Sequence, residues 1–207
     1  MHKVCIIGGN AQYRMMFHKA GWDIVTSIAE ADLVQFTGGE DVHPSFYGEP
    51  SHPQTYSNID RDTYEKQIFD KCYELGIPMA GICRGGQFLN VMCGGKLFQH
   101  VTNHGIYGVH EALDRPTGNI RYVTSTHHQM MRVGPLAELV AIATLASSRQ
   151  YVVDDGQVLE DDLSSPDVEV VFYPGKNVLC FQPHPEFPGH EDCTSYYFEL
   201  LNRYLGF

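Results

Sequence analysis

A cysteine between two glycines is the first feature of the sequence that could do chemistry. The segment Gly81-Ile82-Cys83-Arg84-Gly85 follows a short apolar run and precedes a helical pattern. This arrangement fits a nucleophile elbow, a tight strand-to-helix turn whose flanking residues must lack bulk. Such a turn would place the thiol at the N-terminus of the helix, where the helix dipole favours the nucleophilic thiolate. The pattern alone fits a buried cysteine in an ordinary strand-to-helix turn equally well.

A cysteine nucleophile needs a base, and the segment Pro183-His184-Pro185-Glu186 offers one. The segment directly follows residues 178–182, an apolar run that predicts a strand. Proline on both sides of His184 keeps the chain extended, so side chains two residues apart point the same way. Glu186 could therefore orient the His184 ring, as the acid of a catalytic triad does. The alternative is a proline-rich strand exit with a solvated glutamate.

Acyl transfer also requires an oxyanion hole, and two backbone positions are candidates. The N–H of Arg84, next to Cys83 at the start of a helix, is the expected first donor. Gly39, in the Gly38-Gly39 turn after the apolar run 32–37, could supply the second donor because a glycine backbone can approach a substrate closely. The alternative for the two glycines is an ordinary tight turn.

Eleven histidines and six cysteines raise the question of a metal site. The sequence contains no H-E-x-x-H motif and no Cys/His set at zinc spacing, so it predicts neither a metal nor a cofactor. His127 and His128 follow the predicted strand 119–124 and are either ordinary core or surface histidines or substrate-facing ones. Gly8-Gly9 lacks G-x-G-x-x-G spacing and predicts a glycine turn, not a dinucleotide site.

Composition limits the class of protein. The 207 residues, 43% hydrophobic and 19% charged, predict one globular domain spanning 1–207. The net charge of −11 argues against binding to nucleic acid or to an anionic membrane. No apolar run approaches the roughly 18–20 residues of a membrane span, and the N-terminus does not fit a signal peptide. Cysteines scattered without a C-x-x-C pair predict a reducing, cytoplasmic setting without disulfides.

Hydrophobic periodicity predicts an α/β fold with a mostly parallel central sheet and a smaller β-rich segment in the second half. In the first half we expect strands at 3–7, 22–26 and 32–37, helices at 11–20 and 62–75, then the elbow strand and its helix, which ends at Gly94-Gly95. In the second half we expect strands at 119–124, 139–145, 150–153, 168–173 and 178–182, a hairpin loop and turn at 154–167, and a closing helix at 196–205. Ligands bind beyond the carboxyl ends of parallel strands, where Cys83, His184 and Gly39 would meet.

The helix predicted at 62–75 is the clearest of these elements. Asp60 or Asp62 is expected to cap it. Its predicted core stripe is Tyr64, Ile68, Phe69, Cys72 and Leu75.

Several blocks, in order along the chain, resemble the class I glutamine amidotransferase superfamily. Gly81-Ile82-Cys83-Arg84-Gly85-Gly86-Gln87 is similar to its nucleophile motif, and Gln182-Pro183-His184-Pro185-Glu186 to its His-Pro-Glu motif. The glycine-turn block at residues 36–49 is similar to that of the γ-glutamyl-γ-aminobutyrate hydrolase branch, peptidase family C26. Further matches to that branch are Arg61-Asp62, residues 90–100 and residues 125–129.

The resemblance implies a flavodoxin-like three-layer sandwich and a triad of Cys83, His184 and Glu186. It implies that Cys83 attacks the γ-carbonyl of a glutamine-like substrate and that water then hydrolyses the γ-glutamyl thioester. Gln87 would hold the glutamyl group, and His127 and His128 would lie on the substrate side.

The resemblance leaves open which amide is cleaved. The chain is either a glutaminase passing ammonia to a separate synthase or a stand-alone hydrolase of a small-molecule γ-glutamyl amine. A different class of function, a catalytically silent binding or regulatory domain on the same fold, is the alternative to both.

Overall fold

The computed structural model describes residues 1–145, 147–160 and 165–207. The strands are β1 (Lys3–Ile7), β2 (Asp23–Val25), β3 (Leu33–Phe36), β4 (Met79–Ile82), β5 (Lys96–Phe98), β6 (His100–Val101), β7 (Gly105–Asp114), β8 (Asn119–Thr126), β9 (Met130–Arg132), β10 (Glu138–Ala143), β11 (Arg149–Val152), β12 (Val158–Glu160), β13 (Val168–Tyr173) and β14 (Val178–Phe181). The helices are α1 (Ala11–Lys19), α2 (Ile59–Leu75), α3 (Arg84–Met92) and α4 (Glu191–Leu200), and α4 continues as a π-helical turn over Leu201–Leu205.

The central sheet has nine strands in the order β2-β1-β3-β4-β14-β13-β10-β7-β8. The first five are parallel to their neighbours, and the last four extend the sheet in antiparallel pairs. In the parallel part, Gly81 of β4 pairs with Phe36 of β3, and Ile82 with Phe181 of β14. Because these three strands end in register, the residues that follow them emerge at one edge of the sheet.

Successive residues of the parallel strands point into two different cores. In β14, Leu179 and Phe181 pack with residues of α1 and α4, whereas Val178 and Cys180 pack with residues of α2 and α3. Burial on both faces explains why these strands are apolar throughout instead of alternating. The predicted flavodoxin-like three-layer α/β sandwich with a mostly parallel central sheet is confirmed.

Beyond α3 the chain contains more strands than the sequence predicts. The additional strands are β5, β6, β7, β9 and β12. Four of them have only two or three residues, too few for a periodicity to show. The long strand β7 buries His110 and Asp114, so its pattern is not that of an apolar strand. Some short strands form small separate sheets, β12-β11-β6 and β5-β9.

Helix α2 begins earlier than predicted. It starts at Ile59, and the Asn58 side chain caps it by accepting a hydrogen bond from the Arg61 N–H at 3.2 Å. The predicted caps Asp60 and Asp62 are therefore wrong, because both lie within the first turn of the helix.

The predicted core stripe of α2 is also partly wrong. Tyr64 is 56% exposed and Leu75 is 49% exposed. The buried residues of α2 are Asp62, Glu65, Phe69 and Cys72. The N-terminal half of this helix therefore buries carboxylates. A prediction based on the spacing of apolar residues cannot identify these positions as buried.

The hairpin predicted near 154–167 forms between β11 and β12, with the Val153 N–H bonded to the Gln157 carbonyl at 3.0 Å. Residues 161–164 of that predicted loop and turn lie outside the described residues. Within the described ranges, no helix is long and apolar enough to cross a membrane.

Candidate active site

Cys83 occupies a strained turn between β4 and α3. Its φ of 51° and ψ of −115° are rare for a residue with a side chain. The flanking glycines make the turn possible, because a Cβ at Gly85 would lie 2.5 Å from the Phe36 carbonyl oxygen, and a Cβ at Gly81 would collide with the Gly85 backbone. The local structure is therefore that of an elbow with its nucleophile at the N-terminus of α3.

His184 lies beside Cys83, at the end of β14. Its Nδ1 is 2.7 Å from Glu186 Oε1, so the carboxylate fixes the ring as the extended segment predicts. The His184 N–H donates to Thr124 Oγ1 at 2.6 Å, and the ring stacks on Phe187 with centroids 4.5 Å apart. A Cβ on Gly38 would lie 3.1 Å from His184 Cε1 and 3.8 Å from Cys83 Cβ. The structure thus brings together residues that the sequence places far apart.

The ionisation of His184 depends on its neighbours. Burial would lower the pKa of its imidazole, but the charge and hydrogen bond of Cys83, together with Glu186, outweigh burial and raise the pKa to about 10. A raised pKa means that the ring stays protonated from acidic pH through neutrality and loses its proton only near pH 10. His184 can therefore hold a thiolate beside it and also carry a proton for a leaving group.

We expect the Cys83→Ala substitution to lower the pKa of His184, because burial remains while the contribution of the sulfur is removed. Histidine NMR of wild-type protein and the variant, titrated from pH 5 to 10, checks this. In the wild type the His184 signals should remain those of an imidazolium until the pH nears 10, whereas the variant should deprotonate earlier. The Cys93→Ala variant is the control and should titrate like the wild type. Identical His184 titration curves for all three proteins would contradict an interaction between Cys83 and His184.

The Gly38-Gly39 turn lies next to the elbow. Gly39 has a φ of 141°, a region that favours glycine, and a Cβ there would collide with the Arg61 guanidinium. The Gly38 N–H donates to the Tyr13 hydroxyl at 3.0 Å. Arg84 is the first residue of α3, so its N–H belongs to the amides that have no partner within the helix. The two positions predicted for an oxyanion hole, Gly39 and Arg84, therefore lie next to Cys83 and line the same cavity.

A buried ion network supports the elbow and the glycine turn from behind. The Arg84 side chain, 1% exposed, pairs with Asp62 and Glu65 of α2. Glu65 also accepts from Arg61 Nε at 2.8 Å, and Arg61 Nη2 donates to the carbonyls of Thr37 and Gly38, each at 3.1 Å. The network thus links α2, the residue after the nucleophile and the glycine turn.

Cys83 lines a cavity of about 190 Å³. The predicted oxyanion-hole and substrate residues line it too: Gly39, Arg84, Gln87, His127 and His128. A larger groove of about 450 Å³ lies beside Pro185 and Glu186, between α1 and the start of α4, but Cys83 does not line it. We therefore take the smaller cavity as the candidate active site.

The predicted substrate residues differ in their surroundings. Gln87 is buried, and its Nε2 donates to the Gln129 carbonyl at 3.0 Å and to Gln182 Oε1 at 3.1 Å. Burial, together with the nearby His104, lowers the pKa of His127 well below its ordinary value. His128 is partly exposed, and a hydrogen bond with Asp41 raises its pKa. The cavity therefore presents one neutral and one more basic imidazole.

Three supporting residues were not predicted from the sequence: Tyr13, Thr124 and, in its contact with sulfur, Gln182. The Nε2 of Gln182 is 3.7 Å from Cys83 Sγ, which completes a chain of amides from Gln87 to the thiol. The position of Gln182 in the His-Pro-Glu block was a usable signal. Tyr13 and Thr124 carry no local signal, because only the packing of α1 and β8 brings them to the edge of the sheet.

Comparison with known proteins identifies relatives of the chain. The Peptidase C26 family model matches residues 15–152. The glutamine amidotransferase-like protein YvdE of Lactococcus lactis subsp. lactis is 33% identical over 171 residues, which cover 79% of this chain and 70% of YvdE. The γ-glutamyl-CDP-amidate hydrolase of Campylobacter jejuni is 45% identical over 56 residues, 27% of this chain and 24% of that protein.

Solved structures share the fold. A Thermoplasma acidophilum protein described as a GMP synthase subunit superposes with a TM-score of 0.65 over 98% of this chain and 93% of its own, at 14% identity. Sequence identity at that level shows a common fold but does not show a common activity. The chain spans 70% of the length of YvdE and 65% of a Schizosaccharomyces pombe relative, so both relatives are longer than the region they share with it.

Proposed function

Because the chain belongs to the Peptidase C26 family of the class I glutamine amidotransferase superfamily, we propose that it hydrolyses γ-glutamyl amide bonds through a cysteine-bound thioester. The observation that carries the proposal is the strained Cys83 held beside His184, whose Nδ1 lies 2.7 Å from Glu186 Oε1. Nucleophile, base and orienting carboxylate form the arrangement that acyl transfer requires.

In the first half of the reaction, the Cys83 thiolate attacks the γ-carbonyl carbon and forms a C–S bond. The carbonyl oxygen becomes an oxyanion, which the N–H groups of Arg84 and Gly39 stabilise. The C–N bond then breaks as the His184 imidazolium protonates the departing nitrogen. Ammonia or an amine leaves, and the γ-glutamyl group stays on sulfur as a thioester.

In the second half, water replaces the amine. Neutral His184 removes a proton from the water, whose oxygen attacks the thioester carbonyl at the same oxyanion hole. The C–S bond breaks, glutamate is released, and the thiolate and imidazolium are restored. Glu186 keeps its charge throughout and stabilises the imidazolium.

The cavity supports a glutamyl group as the acyl part of the substrate. Its volume of about 190 Å³ suits a small amino acid and not a polymer. Gln87, His127 and His128 line it and would contact the glutamyl group, with the more basic His128 suited to a carboxylate. The name of the Campylobacter jejuni relative, γ-glutamyl-CDP-amidate hydrolase, supports a γ-glutamyl amine over free glutamine as the substrate of this chain.

A glutaminase role is the second candidate. It is favoured by the relative YvdE, which is named as a glutamine amidotransferase-like protein and is 33% identical over 79% of this chain. In that case the substrate is free glutamine, and the ammonia passes to a separate synthase. A stand-alone hydrolase turns over by itself, whereas an ammonia donor is nearly idle without its partner.

We expect the purified protein to release glutamate from γ-glutamyl amides and to form γ-glutamyl hydroxamate when hydroxylamine competes with water. The hydroxamate reports the thioester, because hydroxylamine attacks it in place of water. Glutamate is measured on glutamine and on a panel of γ-glutamyl amines. Turnover of amines by the protein alone supports the hydrolase, and turnover of glutamine only with a synthase supports the ammonia donor. No glutamate and no hydroxamate from any of these substrates would indicate a silent binding domain.

A further inference from the structure

A second cluster of ionisable side chains is buried where strand β10 ends between β7 and β13. His110 lies on β7, Glu169 on β13, and His104 between β6 and β7. His110 Nε2 is 3.1 Å from Glu169 Oε1, and His104 Nδ1 is 3.8 Å from the same oxygen. His104 and Glu169 are fully buried, and His110 is 8% exposed.

We propose that His104, His110 and Glu169 bind one divalent metal ion of the Zn²⁺ type. Two imidazoles and a carboxylate are a ligand set that such ions favour. One ligand atom from each residue lies within 4.8 Å of the other two. Ligands at the usual Zn–N and Zn–O distances of about 2.0–2.2 Å are about 3.3 Å apart in a tetrahedron, so the site closes when its most distant pair of ligand atoms contracts by at most about 1.5 Å.

The surroundings of His104 fit a ligand. Its Nε2 is 3.2 Å from Asp167 Oδ2, and Asp167 in turn pairs with the Arg149 guanidinium. A metal-bound histidine commonly donates its other ring N–H to a carboxylate, which fixes the tautomer and the ring. Asp167 can therefore hold the proton on Nε2. Nδ1 of His104 lies 3.2 Å from Ser125 Oγ, whose hydroxyl donates to the His104 carbonyl, and the ion would take the place of that contact with Nδ1.

Glu169 gives an independent indication. Its Oε2 is buried and has no hydrogen-bond partner among the described residues. A buried carboxylate oxygen without a partner is costly, and a bound cation removes that cost. The ion-pair partners of Glu169 are the two histidines themselves, which bind a metal in their neutral form.

The ion would act as a structural brace. The His104 ring stacks on His127, which lines the cavity of Cys83, with centroids 4.6 Å apart. The Glu169 carbonyl accepts from the N–H of Gln182, the residue that contacts the Cys83 sulfur. The metal proposal does not depend on the proposed hydrolase activity, because no step of that reaction uses the ion.

The test measures metal binding directly. Untagged wild-type protein is stripped with a chelator, titrated with Co²⁺ and followed by visible absorption, and its Zn²⁺ content before stripping is determined by elemental analysis. The titration is repeated on Cys83→Ala, so that a thiolate–imidazole site cannot produce the signal. We expect one ion per chain in both proteins and a higher Tm with Zn²⁺ than without it.

A matched pair of variants locates the site. Glu169→Gln should weaken Co²⁺ binding at least about 100-fold, the upper end of what loss of a mere outer-sphere partner costs. Glu111→Gln removes the same charge from an exposed position next to His110 and should bind like the wild type. Absence of Co²⁺ and Zn²⁺ binding by wild-type protein, or unchanged binding by a folded Glu169→Gln variant, would overturn the proposal.

Discussion

The Cys83→Ala variant is expected to lose γ-glutamyl amide hydrolysis by about 10⁴–10⁶-fold in kcat while keeping its fold. Loss of a nucleophile costs this much in hydrolases that use a covalent intermediate, since only the oxyanion hole and substrate binding remain to help. Alanine is smaller than cysteine, and the turn already tolerates a Cβ at this position. The rate of glutamate release and the circular dichroism spectrum of both proteins check the two halves of the prediction.

The control for this substitution is another buried cysteine. Burial raises the pKa of Cys93 to about 12, so its thiol is neutral and inert at the pH of the assay. Cys93→Ala should therefore keep its activity, and iodoacetamide should inactivate the wild type by modifying Cys83 first. Undiminished turnover in Cys83→Ala would reject the thioester mechanism, whatever the substrate.

The elbow and the His-Pro-Glu segment could be predicted because their signals are local. Small residues around Cys83 and prolines around His184 restrict the backbone within a few residues, and each segment follows a strongly apolar strand. The rule that ligands bind beyond the carboxyl ends of parallel strands then places both at one edge. The register of β3, β4 and β14 shows that the ends of these strands do meet.

The second cluster could not be predicted in this way. His104, His110 and Glu169 come from different strands and loops, so their spacing along the chain matches no metal motif. They meet because β10 pairs with both β7 and β13, and the side chains of His110 and Glu169 reach to within 3.1 Å of each other. Sequence spacing detects a site when its ligands share one element, and it fails when tertiary structure assembles them.

Helix α2 shows a further limit of sequence patterns. Hydrophobic periodicity assigns Tyr64 and Leu75 to the core, yet both are about half exposed, while Asp62 and Glu65 are buried. The carboxylates are inside because Arg84 lies opposite them. Burial raises the pKa of Asp62, although the charge of Arg84 opposes that shift. A rule that places charges outside does not apply where a fixed partner compensates each charge.

The balance of charge in that network makes it sensitive to a single change. Asp62 and Glu65 carry two negative charges, and Arg61 and Arg84 two positive ones. Removing one member of a buried ion pair leaves an uncompensated charge, which typically costs about 3–5 kcal/mol, whereas replacing all members together is often neutral. The loss of stability caused by a substitution here thus depends on the buried charge that is left without a partner, and not on the side chain that is removed.

Arg84→Met is accordingly expected to lower the free energy of unfolding by about 3–5 kcal/mol, measured by urea denaturation. Its backbone N–H is retained, so any additional loss of activity in the folded fraction reflects movement of the glycine turn that Arg61 and Glu65 hold. Lys66→Met on the same helix is the matched control, because its exposed pair with Asp70 should contribute less than about 1 kcal/mol. Adding Asp62→Asn and Glu65→Gln to Arg84→Met should restore part of the stability, and a loss below about 1 kcal/mol in Arg84→Met alone would show that the network does not stabilise the fold.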